Sequence, residues 1–440
     1  MGQRVTTKGL LVVCVTSLSL AGCMGTSDGG EVSRFLAKSP EAVASGEATA
    51  RQKEAANSQI ITALQARRSV LPAGSAFDRV ARPVLAANSR AAESDLRSAR
   101  LRAAAASKNW LPRIGPNISL TSLSDVVAQI LVEQVLFDNG RKKAERAFAA
   151  ADVEAAAVTL ADDTNQRVLT ALGLYLDAAE ARERVALEGR TMKDMQHFEW
   201  IMNERVKGGV SDMSDLNVIR AKLAEIRATL AAQQEAASTA LAELNAMSVE
   251  PLNMVEGLTD VQVNATTAQP LDVMLAEAER DRDIAGAKIA RAGFLPGVKA
   301  SGTLGDDGSG IGVNVGSDQL LGLGTGASLK AIEAEKEAAS RRVAQTQEDT
   351  DRQLRRLGQR LSALARQVGE AASLTAQAKT NLDLFQQQYD AGQRQVMDVV
   401  GVYETFAARQ TAAVGLKYEL ALTRLEMART LGLLADGSQI

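Results

Sequence analysis

Histidines, cysteines and paired carboxylates carry most enzymatic chemistry, and this chain uses them sparsely. His197 is the sole histidine among 440 residues, so no serine–histidine or cysteine–histidine engine can be assembled. The two cysteines, Cys14 and Cys23, both lie near the start of the chain and give no metal-ligand spacing. Gly322-Leu323-Gly324-Thr325-Gly326 superficially suggests a phosphate cradle. Its third glycine is misplaced for a dinucleotide loop, and no Gly-Lys-Ser/Thr follows. It reads instead as a bend where a strand becomes a helix. The 53 acidic residues belong mainly to solvated helix faces, from which no acid–base pair stands out. The expectation is therefore no enzyme, no metal and no cofactor. A net charge of −3 also argues against nucleic acid as a partner.

The Cys23 thiol suits a different chemistry. Arg4 and Lys8 form a basic start, and Leu10 to Leu20 an apolar run too short to anchor in a bilayer. Leu20-Ala21-Gly22-Cys23 then resembles the bacterial lipobox, whose cysteine is lipidated and becomes the first mature residue. Residues 1–22 are expected to be a signal peptide and 23–43 a lipid-anchored extended segment. Met24 follows the cysteine rather than Asp, which in lipoproteins of this type implies the outer membrane. Cys14 leaves with the signal, so no disulfide is expected.

The elements around these residues come in pairs. Trp110-Leu111-Pro112 and Phe294-Leu295-Pro296 are the same punctuation written twice. Leu136-Phe137-Asp138-Asn139-Gly140 is answered by Leu320-Leu321-Gly322-Leu323-Gly324 at the same offset as the two prolines. Gly209 with Asp215 is answered by Gly392 with Asp398, a single position short of that offset. A nearly fixed offset over three landmarks predicts two internal structural repeats, at 44–247 and 270–440, joined by a linker at 248–269. In the first, helices are expected over 44–69 and 75–109, strands over 114–123 and 126–137, and a helix over 141–203. In the second, a helix spans 270–293, strands span 297–304 and 311–317, and a helix runs over 325–390. An uninterrupted helix of such length reaches about 95 to 99 Å, which no compact domain holds. A chain that is 46% hydrophobic but only 3% aromatic suits long helices packed side by side.

Two periodicities define faces. Apolar positions recur from Leu354 through Leu357, Leu361, Leu364, Val368, Ala371, Thr375, Ala378, Leu382 and Phe385 to Tyr389. They alternate steps of three and four, the left-handed coiled-coil period. They resume at Val399, Val402 and Phe406, predicting an antiparallel hairpin with its tip at Ala391-Gly392. In 298–315, Val298, Ala300, Leu304, Ile311, Val313 and Val315 alternate with polar or small residues. Such alternation fits membrane-barrel strands with those six side chains toward lipid, and it fits a half-buried soluble hairpin equally well. Val126, Ala128, Ile130 and Val132 form the corresponding face of the first hairpin. Trp110, Phe137 and Phe294 suit a bilayer interface.

Taken in order and doubled, these motifs resemble the TolC family of outer-membrane efflux and secretion channels. The resemblance rests on the Leu-Pro before each hairpin, Leu-Phe-Asp-Asn-Gly after the first, and the tip turns Arg205–Leu216 and Tyr389–Val399. It implies a mainly α fold with short β-hairpins: a homotrimer whose α-helical barrel is continued by a 12-strand membrane β-barrel, four strands per chain. Strand count alone allows two copies or three. The resemblance further implies a closed periplasmic gate, in which Asp215 of one hairpin pairs with Arg394 and Tyr389 of the other. Asp398 would point into the lumen as an acidic ring, weakened because Gly401 stands where the family often has a second aspartate. Gly208, Gly209, Ala391 and Gly392 would admit a periplasmic adaptor, itself joined to an inner-membrane RND or ABC transporter, with outer-membrane lipid around the barrel. The rival reading, from the residues alone, is a lipid-anchored periplasmic coiled-coil scaffold without a pore.

Overall fold

A computed structural model describes residues 58–87, 91–120, 126–264, 268–305, 308–320 and 322–439. The expectations for the signal peptide, for Cys23 and for residues 44–57 lie outside the described residues. Helices α1 (Gln59–Gln65), α2 (Ala76–Ala86) and α3 (Ala91–Ser107) precede strands β1 (Arg113–Leu120) and β2 (Val126–Phe137), followed by α4 (Arg141–Lys207) and α5 (Met213–Ala246). The described part of 248–269 contains neither helix nor strand, as expected of a linker. Then α6 (Leu271–Gly293), β3 (Gly297–Gly305), β4 (Gly308–Gly316), α7 (Thr325–Asp390) and α8 (Val396–Thr430) follow in the same order of types. Pro112 and Pro296 each stand immediately before a strand. Proline disfavours helical backbone in the residue before it, so both helices end upstream.

Two helix expectations need correction. The helix expected over 75–109 is two, because partners distant in sequence take the last carbonyls of α2. The Val249 N–H donates to Pro83 O at 3.3 Å, and Arg167 Nε donates to Val84 O at 3.1 Å. Those bonds satisfy carbonyls that the next helical turn would otherwise occupy. The helix expected to reach 69 ends at Gln65, because the chain turns to pair with the C-terminal segment. Val70 N–H donates to Leu433 O at 2.9 Å, and Ser69 N–H donates to Asp436 Oδ1 at 3.0 Å. Arg67 completes this clamp. Its buried guanidinium donates to Leu431 O at 2.7 Å and to Gln269 O at 2.6 Å. Burial lowers its pKa to about 10, which leaves it charged at neutral pH.

The strands form one antiparallel sheet in the order β1-β2-β3-β4, so the two hairpins join through β2 and β3. Beneath it the helices lie in a layer whose hub is α4, which packs against α1, α2, α3, α5, α6 and α8. Its counterpart of matching length, α7, packs mainly against α6 and α8. Along α4, Val153, Ala157, Leu160, Thr164, Val168, Leu172, Tyr175 and Ala179 form a stripe that is buried or half-buried, as is every heptad position of α7 from Leu354 to Tyr389. One core gathers around Phe77, Leu172 and Tyr175 at mid-length. A second fills the end away from the sheet, around Met195, Phe198, Leu216, Leu382 and Val399.

Candidate functional site

The sheet has two chemically different faces, and the strand register decides which residue lies on which. Val298 opposes Val315, Ala300 opposes Val313 and Gly302 opposes Ile311. Leu304 opposes Ile130, which opposes Pro116; Val132 opposes Ile114. Directly paired residues share a face, so these side chains form one continuous apolar surface. Ile311 is 94% exposed and Ile114 is 73% exposed, so no part of the described chain covers it. The other face carries Arg113, Asn117, Gln129, Glu133, Lys299, Ser301, Thr303 and Asn314. Gln134, opposite Ala300, and Ser309, opposite Leu304, interrupt the apolar face, and the Gln134 amide is occupied by the Trp110 carbonyl at 2.9 Å. A bulge between Val135 and Phe137 restores Phe137 to the apolar side opposite Val298. The six side chains expected to meet lipid therefore all share one face.

Asp138-Asn139-Gly140 forms the bend at which β2 gives way to α4. Asn139 and Gly140 take left-handed φ values of 53° and 82°, a region tolerated best by these two residue types. Asp138 accepts from the Lys142 backbone N–H at 2.6 Å and so caps α4. Asn139 Nδ2 reaches across to Pro296 O at 2.9 Å, tying the bend of the first half to the proline of the second. A cavity of about 330 Å³ opens beside the bend, lined by Arg113, Glu133, Arg141, Lys142, Lys299 and Asp318 among others. Asp318 pairs with Arg141 and, at 3.3 Å, with Lys299. Burial, reinforced by the nearby Arg113, lowers the Lys142 pKa.

At the far end, the two tip turns share one backbone solution. In the first, Gly209 N–H donates to Val206 O and Val210 N–H to Arg205 O. In the second, Gly392 N–H donates to Tyr389 O and Gln393 N–H to Gln388 O. This is the Schellman arrangement, whose left-handed residue favours glycine, and Gly209 and Gly392 have φ of 69° and 75°. Gly208 and Ala391 are ordinary right-handed caps with φ of −80° and −79°. The gate residues are not brought together within the protomer. Arg394 Nε donates to Gln388 Oε1 at 2.9 Å and its guanidinium lies 4.5 Å from the Phe385 ring centre. Tyr389 packs on the tip core. Asp398 accepts from Gln395 N–H in a capping box at the start of α8. Asp215, half-buried in the first turn of α5, makes no ion pair among the described residues.

No family model and no curated protein matches this chain. Solved structures do. The outer membrane protein VceC of Vibrio cholerae aligns with a TM-score of 0.68 at 16% identity, over 81% of this chain and 96% of its own. The CmeC outer membrane channel of Campylobacter jejuni gives 0.69 at 14% identity, over 83% and 88%. The open-state MtrE outer membrane channel of Neisseria gonorrhoeae gives 0.66 at 16% identity, over 83% and 91%. This chain has the TolC-type channel fold.

Within that fold, α4 and α8 are cross-linked in a way that no local sequence signal announces. Tyr403 O–H donates to Asp194 Oδ2 at 2.6 Å. Its ring sits edge-on to Phe198 and Phe406, with centroids 6.1 and 6.4 Å away. Burial and then the Asp194 bond push the Tyr403 hydroxyl pKa upward. Higher on the seam, Glu183 accepts from both Lys417 Nζ at 2.6 Å and the Tyr418 hydroxyl at 2.9 Å. Nearer the sheet, Arg429 pairs with Asp162 at 2.9 Å. Three carboxylates on α4 thus meet donors on α8 along an otherwise apolar seam of the TolC-type layer. No helix among the described residues is long and apolar enough to cross a membrane, which leaves the apolar sheet face as the surface to explain.

Proposed function

We propose that the protein is an outer-membrane exit channel, built as a lipid-anchored homotrimer from a duplicated unit. The observation that carries this reading is the two-faced sheet with unpaired outer edges on β1 and β4. Unpaired backbone groups in hydrocarbon cost several kcal/mol each, so open edges cannot face lipid. Four strands cannot close alone, since membrane barrels begin at about eight. Three copies give a closed 12-strand barrel, with the apolar face to lipid and the polar face to a water-filled lumen. The helices continue it as an α-helical tunnel, and Cys23 anchors the chain by its lipid. The tip turns dock onto a periplasmic adaptor joined to an inner-membrane RND or ABC transporter. That pump supplies the energy, and the duct itself is passive. At rest, Asp215 pairs with Arg394 and Tyr389 of the neighbouring hairpin, and Asp398 forms a cation-attracting ring. The alternative, a pore-less scaffold, leaves the apolar sheet face without an environment.

The test is extraction followed by planar-bilayer recording. The Cys23→Ser variant is expected to remain in membranes through an alkaline wash and to require detergent; release into the wash would favour the scaffold. Reconstituted wild-type protein is expected to conduct, and Arg394→Ala to conduct more. Unchanged conductance in Arg394→Ala removes the lock while leaving the channel.

A further inference from the structure

The helical layer has two free edges, and they carry opposite charge at the same height. Toward the tip the packing order is α5, α4, α8, α7, so α5 and α7 are the outermost helices. On α7, Arg352, Arg355, Arg356, Arg360 and Arg366 occur with no acidic residue until Glu370. The face that packs on α8 runs through Leu354, Leu357, Leu361 and Leu364. At 3.6 residues per turn, Arg352, Arg355 and Arg366 fall on the opposite face, and all three are exposed. Arg352 pairs with Asp349 on its own helix, whereas Arg355 and Arg366 make no ion pair among the described residues. The α5 edge is the converse. No lysine or arginine occurs between Arg227 and Arg280. Leu216, Ile219 and Leu223 pack inward, and the outward face carries Glu235 and Glu243 among alanines. Both glutamates are exposed and without an ion pair among the described residues.

Axial height matches as well. Helix α5 leaves the tip at Met213, and α7 reaches it at Asp390. Measured along each helix from those two ends, Glu235 and Arg366 stand at nearly the same height, and Glu243 lies close to Arg355. With a rise of about 1.5 Å per residue, the mismatches are about 3 and 8 Å, within reach of paired glutamate and arginine side chains.

We propose that the α7 edge of one protomer docks on the α5 edge of the next through this register, Arg366 to Glu235 and Arg355 to Glu243. The occupant of each edge is a second copy of this chain. The contact is head-to-tail, so it repeats identically from copy to copy and is compatible with the closed ring proposed above. Glu370, on the outward face of α7 below Arg366, ends the basic stripe. This inference deepens the oligomeric reading above and rests on it.

The test uses the full chain extracted in mild detergent. Reversing one edge (Arg355→Glu with Arg366→Glu, or Glu235→Arg with Glu243→Arg) is expected to reduce the oligomer about tenfold or more, since juxtaposed like charges oppose association. Combining the four reversals is expected to restore it. Thr239 and Ser362 are exposed and stand at closely matched heights above the same tip ends. Thr239→Cys with Ser362→Cys is expected to give a covalent ladder under mild oxidation, which neither single variant gives. Reversals without effect and no ladder, in a wild-type protein that is oligomeric, overturn the register alone. A monomeric wild-type protein overturns the oligomeric reading itself.

Discussion

Helices α4 and α7 are twins in length, at 67 and 66 residues, yet they are buried very differently. Buried positions crowd α4 from Ala144 to Met202, whereas α7 has only a scattering of them between Ile332 and Leu382. The difference lies in position within the layer. Most of the described chain is wrapped around α4, whereas α7 has α8 and α6 on one side and, among the described residues, no helix on the other. A helix with neighbours on one side only either tolerates solvent there or awaits another molecule. The polar, arginine-rich outward face of α7 suits both states, because guanidinium groups are hydrated when alone and can pair with a complementary acidic surface. A leucine-lined edge would instead invite indiscriminate association.

The contrast can be broken first at its largest expected effect. Leu172, fully buried on α4, should cost about 3 to 5 kcal/mol when cut to alanine, through lost burial and the cavity left behind. Leu384, 51% exposed on α7, should cost about 0.5 kcal/mol or less. Urea unfolding of both variants reads the difference, and equal costs would mean that α7 is not a free edge in the protomer. The seam between the two hairpins comes next. Tyr403→Phe removes a bond to a carboxylate and should cost about 1.5 kcal/mol. Its titration has a definite sign. The folded pKa lies above the unfolded value of 10.0, so this contribution is complete below pH 10.0 and is lost as pH rises beyond it. The wild type should therefore lose stability more steeply than Tyr403→Phe in alkaline denaturation. The smallest effect sits at the tips. Gly209→Ala and Gly392→Ala should each cost about 1 kcal/mol from left-handed strain, read as a lowered urea midpoint. Gly208→Ala should be nearly neutral, because an added Cβ meets nothing closer than 3.5 Å.

What could be read in advance was whatever a single stretch of chain dictates for itself. Pro112 and Pro296 end helices by sterics, Gly209 and Gly392 accept left-handed turns, and the alternation of 298–315 survives as one face of the sheet because period two leaves no other choice. The misses required partners far away in sequence. Nothing near Ala86 says that the Arg167 side chain and the Val249 amide will take the last carbonyls of α2. The Tyr403–Asp194 bond spans 209 residues. Within the protomer Arg394 takes a local acceptor, Gln388, six positions away.

The clamp at Arg67 bears on the order of events during synthesis. Its bond to Leu431 spans 364 residues, and the neighbouring Ser69–Asp436 bond spans 367. Arg67, two residues beyond α1, thus lacks part of its acceptor set until nearly the last described residues arrive. Contacts of that span are slow to form, so this clamp closes late in folding. A protein truncated before Leu431 would leave a guanidinium in an apolar site with too few acceptors.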